Sequence, residues 1–394
     1  MKRTILSLVS MVVVCAMTLT SCEEMMSAID NPVDSYVQFA KSELILEPGV
    51  VVQNAATTIS TEKIIYSSSN EKVATVDQNG YIKAVADGEA TITASVKATE
   101  YYQAGSATCL VKVANPFQST PLTLEVLSEN GTICIQHPKV NMKYSLNGAK
   151  KTTIETTNDV TINVKKGDKV AFYGNGTSIP FYYGTLISGG TAEVKVYGNI
   201  MSLVDETGFP DANVLTERSV FRELFFYYTL LKDASGLLLP AEMLSERCYY
   251  GMFDGCKYLI TAPKKLPAET LTELCYYRMF YNCESLTAAP ELPAKTLAGS
   301  CYKSMFQKCH SLTAAPELPA KTLAESCYYC MFQYCSKLSS VTCLATDISA
   351  KNCTNYWLNE VAEKGMFTKA KNVDWSNKVE RQSGIPSGWQ IAEE

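Results

Sequence analysis

Histidine is nearly missing from this 394-residue chain, occurring only at His137 and His310. Two imidazoles so far apart remove the usual general base and the usual metal ligand from any local motif. There is also no serine-nucleophile elbow, no phosphate-cradling glycine loop and no closely spaced zinc pattern, so no catalytic constellation can be assembled and no cofactor or metal is expected. An excess of cations is absent as well. Lys+Arg number 35 against 40 Asp+Glu, a formal charge of −5, which argues against a nucleic-acid partner. After the first segment no apolar run is long enough to span a bilayer. Tryptophan is confined to Trp357, Trp375 and Trp389, which read as an apolar lid on whatever precedes them, with a sugar-stacking platform as the competing reading.

What is present begins with Lys2 and Arg3 ahead of an apolar run from Ile5 to Leu19. That is the layout of an export signal. It closes on Leu19-Thr20-Ser21-Cys22, which resembles the lipobox of bacterial lipoproteins. The resemblance implies a signal peptide over 1–21 and acylation of Cys22, and several acyl chains give stable membrane anchoring. A secreted chain with a coincidental cysteine is the alternative. Glu23 and Glu24 look like the surface-export signal of lipoproteins in some Gram-negative anaerobes, which implies an outer-membrane anchor facing the cell exterior. Cleavage before Cys22 would remove two cations and no acid, leaving 33 against 40 and a charge of −7. Residues 22–40 read as a lipid-anchored tether.

Residues 41–114 carry short alternating runs with turn signals at Asn79-Gly80 and Asp87-Gly88, the pattern of a small antiparallel β-domain. The segment from Ser68 to Ala94, SSNEKVATVDQNGYIKAVADGEATITA, resembles group 2 bacterial immunoglobulin-like domains, which implies a β-sandwich used as a spacer or adhesive module. Cys109 is its only cysteine, so packing alone must hold it. A second β-rich stretch, 117–200, has turn cues at Asn147-Gly148 and Lys166-Gly167-Asp168 and reads as a cap for the repeats that follow.

Over 221–352 the chain repeats itself. Leu-Pro-Ala recurs at Leu239, Leu266, Leu292 and Leu318, with a degenerate copy at Leu344, in steps of 27, 26, 26 and 26 residues. A fixed period in this range means stacked units, none of which can bury its apolar face alone. Comparing copies separates the positions. Cys248, Cys275, Cys301 and Cys327 form an unvarying column, as do Tyr249, Tyr276, Tyr302 and Tyr328; the Met-Phe pair; Cys256, Cys283, Cys309 and Cys335; and Leu259, Leu286, Leu312 and Leu338. Asp254, Tyr281, Gln307 and Gln333 share a column whose chemistry varies freely. Fixed apolar and variable polar columns describe a core and a solvated surface.

The spacing of four between Leu297, Cys301, Met305 and Cys309 predicts a helical stripe. Thr270 with Glu273 and Thr322 with Glu325 read as capping boxes for that helix, and Leu286–Ala289 as a short strand after it. These copies resemble the leucine-rich repeats of BspA-type bacterial surface proteins, on the strength of MFYNCESL, MFQKCHSL and MFQYCSKL, although the cysteine before each Tyr departs from that pattern. The fold class expected is therefore multidomain: an Ig-like β-sandwich, a small β-rich cap and an α/β leucine-rich-repeat solenoid, ending in a cap over 353–394. Buried packing accounts for the regular cysteines without further assumptions. Partial disulfides between strained neighbours and metal ligation are the other readings.

The chemistry that remains is binding. A surface-exposed adhesion protein with a host or microbial protein partner is the leading expectation. A glycan-capture lipoprotein is the rival, in which Tyr250, Tyr277 and Tyr329 would stack on sugar rings, with Lys303 interrupting their column; a structural surface component is the third.

Overall fold

The computed structural model describes residues 32–138, 142–155, 158–174, 185–375 and 382–394. Cys22 and the whole export signal lie outside them. The chain divides into two compact units, one ending at Pro116 and one beginning at Phe117.

In the first unit, strands Glu43–Leu46, Gly105–Val113, Gly88–Val96 and Ile65–Ser68 form a four-stranded sheet, and Val51–Gln53, Tyr81–Ala84 and Ala74–Val76 a three-stranded one. The long strands alternate as their sequence does: Ala90, Ile92, Ala94 and Val96 are buried, and Ala90 and Ile92 pair with the buried Val111 and Cys109. Asn79-Gly80 makes the hairpin between Ala74–Val76 and Tyr81–Ala84, with Gly80 at φ +73°, where a side chain would be strained. Pairing starts early in the chain, since Val33 bridges Tyr102 and Gln38–Phe39 pairs with Ala56–Thr57. Cys109 is fully buried, and the Asn54 amide nitrogen lies 3.3 Å from its sulfur.

The second unit opens with a six-stranded and a three-stranded sheet. Strand Val194–Asn199 then pairs in parallel with Leu231–Leu238, at the start of the repeats. One continuous hydrophobic core runs from Leu122 to Trp389.

The repeats overturn the expected α/β leucine-rich-repeat solenoid. Among the described residues there is no α-helix, only two short 3-10 segments, Ile200–Leu203 and Phe209–Asp211. Each copy is a coil of consecutive turns. Within a coil every fourth residue takes a left-handed conformation: Arg247, Gly251 and Gly255; Leu274, Arg278 and Asn282; Ser300, Ser304 and Lys308; Ser326, Cys330 and Tyr334. An α-helix cannot pass through such positions, and its N–H groups would all bond four residues back. Here they alternate. The N–H groups of Tyr250, Met252, Asp254 and Cys256 donate three residues back, to Arg247, Tyr249, Gly251 and Phe253. Those of Tyr249, Gly251, Phe253 and Gly255 donate across to the next coil, to Cys275, Tyr277, Met279 and Tyr281. The backbone is satisfied half within a coil and half between coils, so neither a lone coil nor a helix is needed.

The capping-box reading falls with the helix. Thr270 and Thr322 instead form parallel bridges to Thr296 and Asp347. The run Leu286–Ala289 contributes only the bridge from Ala288 to Thr261. A proper parallel sheet appears at the end, where Ser340–Cys343, Gly365–Lys369 and Trp389–Glu393 lie side by side.

Four-residue turns put two adjacent side chains inward and the next two outward. Cys248-Tyr249 and Met252-Phe253 are buried pairs, and their equivalents in the next three coils are buried too. Like stacks on like: Phe253 on Phe280 at 5.2 Å, and Tyr249 on Tyr276 at 5.6 Å with planes 8° apart. The second cysteine of each coil has a defined partner. Cys256, Cys283, Cys309 and Cys335 donate their thiols to the carbonyls of Phe225, Phe253, Phe280 and Phe306 at 3.0–3.2 Å. All thirteen described cysteines are free thiols. Burial pushes Cys248, Cys335 and Cys343 up to about 12 and Cys330 to about 11, far from the thiolate form that oxidises or binds metal. The tryptophans are interior as well: Trp357 stacks on Tyr328 and, at 5.5 Å, on Trp375, while Trp389 donates to the Ala362 carbonyl at 2.8 Å. Their faces are used by the core.

Candidate functional site

The outward pair of each coil turn forms the surface with the most chemistry. Its first column runs Arg222, Tyr250, Tyr277, Lys303, Tyr329 through successive coils. The Arg222 guanidinium lies over Tyr250 at 4.7 Å from the ring centroid. Tyr250 stacks on Tyr277 at 4.7 Å with planes 24° apart. Lys303 Nζ lies 5.9 Å from the Tyr277 ring and 4.7 Å from the Tyr329 ring. Tyr329 meets Tyr356 edge-on at 6.0 Å.

The three tyrosines singled out by sequence thus divide. Tyr250 and Tyr277 are brought together, whereas Tyr329 is held apart by Lys303, which joins the column by cation–π contact rather than interrupting it. Both faces of each stacked ring are occupied. What the column offers outward is ring edges, phenol oxygens and cations. Tyr250 is a neutral donor, since burial and then the neighbouring Tyr277 hold its phenol above the usual value.

Beside this column runs the variable one. Asp254 is 3% exposed. Arg278 Nε lies 3.0 Å from its Oδ2, without the alignment of a hydrogen bond, and Oδ1 is buried without a partner. Burial raises Asp254 to about 7, with Arg278 opposing and Glu223 adding to the shift. The Arg278 guanidinium and Lys308 Nζ both lie over Tyr281, at 3.9 and 5.3 Å. Further along, Gln307 bonds Gln333, and Gln333 bonds Asn359 at 3.2 Å.

Sequence reading missed Arg222, Arg278 and Lys308. Arg222 sits in a coil lacking both cysteines, so no aligned column points to it, and Arg278 and Lys308 occupy left-handed positions that a helical pattern cannot place. A separate cleft of about 570 Å³ is lined by Lys295, Leu297, Pro319, Lys321, Leu323 and Leu344. Lys295 there is committed to Glu269 at 3.0 Å. Among the described residues no group of three or more His, Cys, Asp or Glu is placed to hold a metal ion, and no helix is long and apolar enough to cross a membrane.

The two packed sheets of the first unit agree with its relatives. Residues 36–105 match the family model of the bacterial Ig-like domain (group 2). This Ig-like segment covers the hairpin at Asn79-Gly80 and the long strand Gly88–Val96, and stops at Gly105, where the second long strand begins. Ig-like domains of this type are generally non-catalytic and typically extracellular or at the cell surface. No curated protein matches the chain.

Proposed function

We propose that the protein is a surface lipoprotein, anchored to the outer membrane through Cys22, that binds a protein partner non-catalytically on the outer face of its coils. Residues 22–31 serve as tether, since Val33 and Gln38–Phe39 are already paired into the first unit; the Ig-like domain serves as spacer, 117–200 and 353–394 as the two ends of the stack, and 221–352 as the binding region. The observation that carries this reading is the column Arg222, Tyr250, Tyr277, Lys303 and Tyr329. Tyrosine and arginine are the residues most enriched where protein interfaces are energetically strongest. Rings whose faces are already stacked on one another leave no face for a pyranose, which removes the support for sugar stacking.

The test is binding of the soluble chain begun after Cys22 to paired arrays of surface and matrix proteins and of glycans. Saturable protein binding weakened by Tyr250→Ala and Tyr277→Ala supports the proposal. Glycan binding abolished by the same changes overturns it, and silence on both arrays points to a structural role instead.

A further inference from the structure

The chain as a whole is acidic, yet one face of its coils is not. Along the two columns just described and the left-handed positions beside them, from Arg222 to Lys308, stand four cations, Arg222, Arg278, Lys303 and Lys308, against two carboxylates, Glu223 and Asp254, while Arg247 at the start of its coil is matched by Glu246. The carboxylates are already engaged. Glu223 Oε1 accepts from Arg222 at 3.2 Å, and the buried Asp254 sits against Arg278. Lys303 lies against the rings of Tyr277 and Tyr329 and near Cys330, and Lys308 against Tyr281 and Tyr334; neither forms an ion pair with a carboxylate among the described residues. Each guanidinium lies over a ring, Arg222 over Tyr250 and Arg278 over Tyr281. A guanidinium placed in this way presents its outer nitrogens in the planar fork that matches a carboxylate. Nε of both arginines is buried, so only the outer nitrogens of each guanidinium can meet a partner.

We infer that the partner presents an acidic, Asp/Glu-rich segment, which lies across the coils with its carboxylates on Arg222, Arg278, Lys303 and Lys308 and its backbone against the edges of Tyr250 and Tyr277. This rests on the binding reading above and specifies its ligand. Charge complementarity favours it: a cationic stripe on an anionic protein steers an acidic chain to one face and repels it from the rest. An extended segment also suits a surface whose donors recur from coil to coil.

The test uses the full chain after Cys22 and a fluorescent twenty-residue poly-glutamate peptide, read by anisotropy, with poly-lysine and a heparin oligosaccharide as comparisons. Saturable poly-glutamate binding is expected, weakened about three- to tenfold by Lys303→Ala or Lys308→Ala, lost in Lys303→Glu, falling with salt, and unchanged in Lys83→Ala on the Ig-like domain. Circular dichroism of each variant separates lost binding from lost fold. Poly-glutamate binding indifferent to Lys303→Glu overturns the inference, as does tighter heparin binding through the same residues, which would make the ligand an acidic glycan. A protein found on the array that binds while poly-glutamate does not also overturns it, and leaves the broader binding reading standing.

Discussion

The ring of Phe280 lies 5.5 Å from that of Phe306, with planes 1° apart. Phe253 and Phe332 extend the same column on either side. This near-perfect repetition sets the coil-to-coil step, and the outer face inherits its spacing from it. Phe306→Ala should therefore cost about 3–5 kcal/mol, the range for truncating a fully buried aromatic, whereas Phe306→Leu should cost less. Urea titrations of both variants check the difference.

The thiols should be silent while the protein is folded. With burial holding the column cysteines in the thiol form, a disulfide-exchange reagent should first modify Cys134, the one described cysteine that is only half-buried. The columns should react only once denaturant opens the stack. Cys309→Ala removes the donor to the Phe280 carbonyl and should cost about 1–3 kcal/mol, measured by the same titration.

Left-handed backbone at every fourth residue makes a prediction opposite to that of a helix. Ser300 sits at φ +55°, a conformation that costs a side-chain-bearing residue about 1–2 kcal/mol relative to glycine. Ser300→Gly should be neutral or stabilising by up to about 1 kcal/mol, and Ser300→Val clearly destabilising. In a helix the glycine would instead cost about 0.5–1 kcal/mol. Thermal melts of the pair decide.

Why the helix was misread follows from the same residues. A spacing of four puts Leu297, Cys301, Met305 and Cys309 on one stripe of an α-helix, and equally at one corner of a coil of four-residue turns. The discriminating signal is the doublet: Cys-Tyr and Met-Phe are inward as adjacent pairs, which suits two-in, two-out turns better than a helix step. The stacking itself was legible, since an exact period with unvarying apolar columns requires it. So was the Ig-like domain, whose turn glycine at Gly80 and alternating strands are local signals. The cationic stripe was not, because Arg222, Arg278 and Lys308 stand at unequal sequence intervals and meet only when the coils are stacked.

Asp254 gives a pH dependence of definite sign. Its folded value, about 7, lies above the ordinary 3.8. Below about pH 4 both folded and unfolded chains hold this proton. Between about 4 and 7 the unfolded chain releases it while the folded one keeps it, so this site lowers stability as pH rises; above about 7 the penalty is constant. Arg278 from the next coil and Glu223 from the preceding one face the same carboxyl and set the extent. Asp254→Asn should therefore be close to neutral at pH 4 and stabilising at pH 8 by about 2–4 kcal/mol, compared by denaturation at the two pH values.

The central claim is that the outer column of the coils is where a partner binds. Hydroxyl-radical footprinting of the tyrosines, with and without a protein partner identified on the array, tests it most directly. The account predicts that Tyr250, Tyr277 and Tyr329 lose reactivity in the complex while Tyr81 of the Ig-like domain, exposed in the free chain, keeps it. Protection of Tyr81 with the column unchanged would contradict the account and move binding to the Ig-like domain.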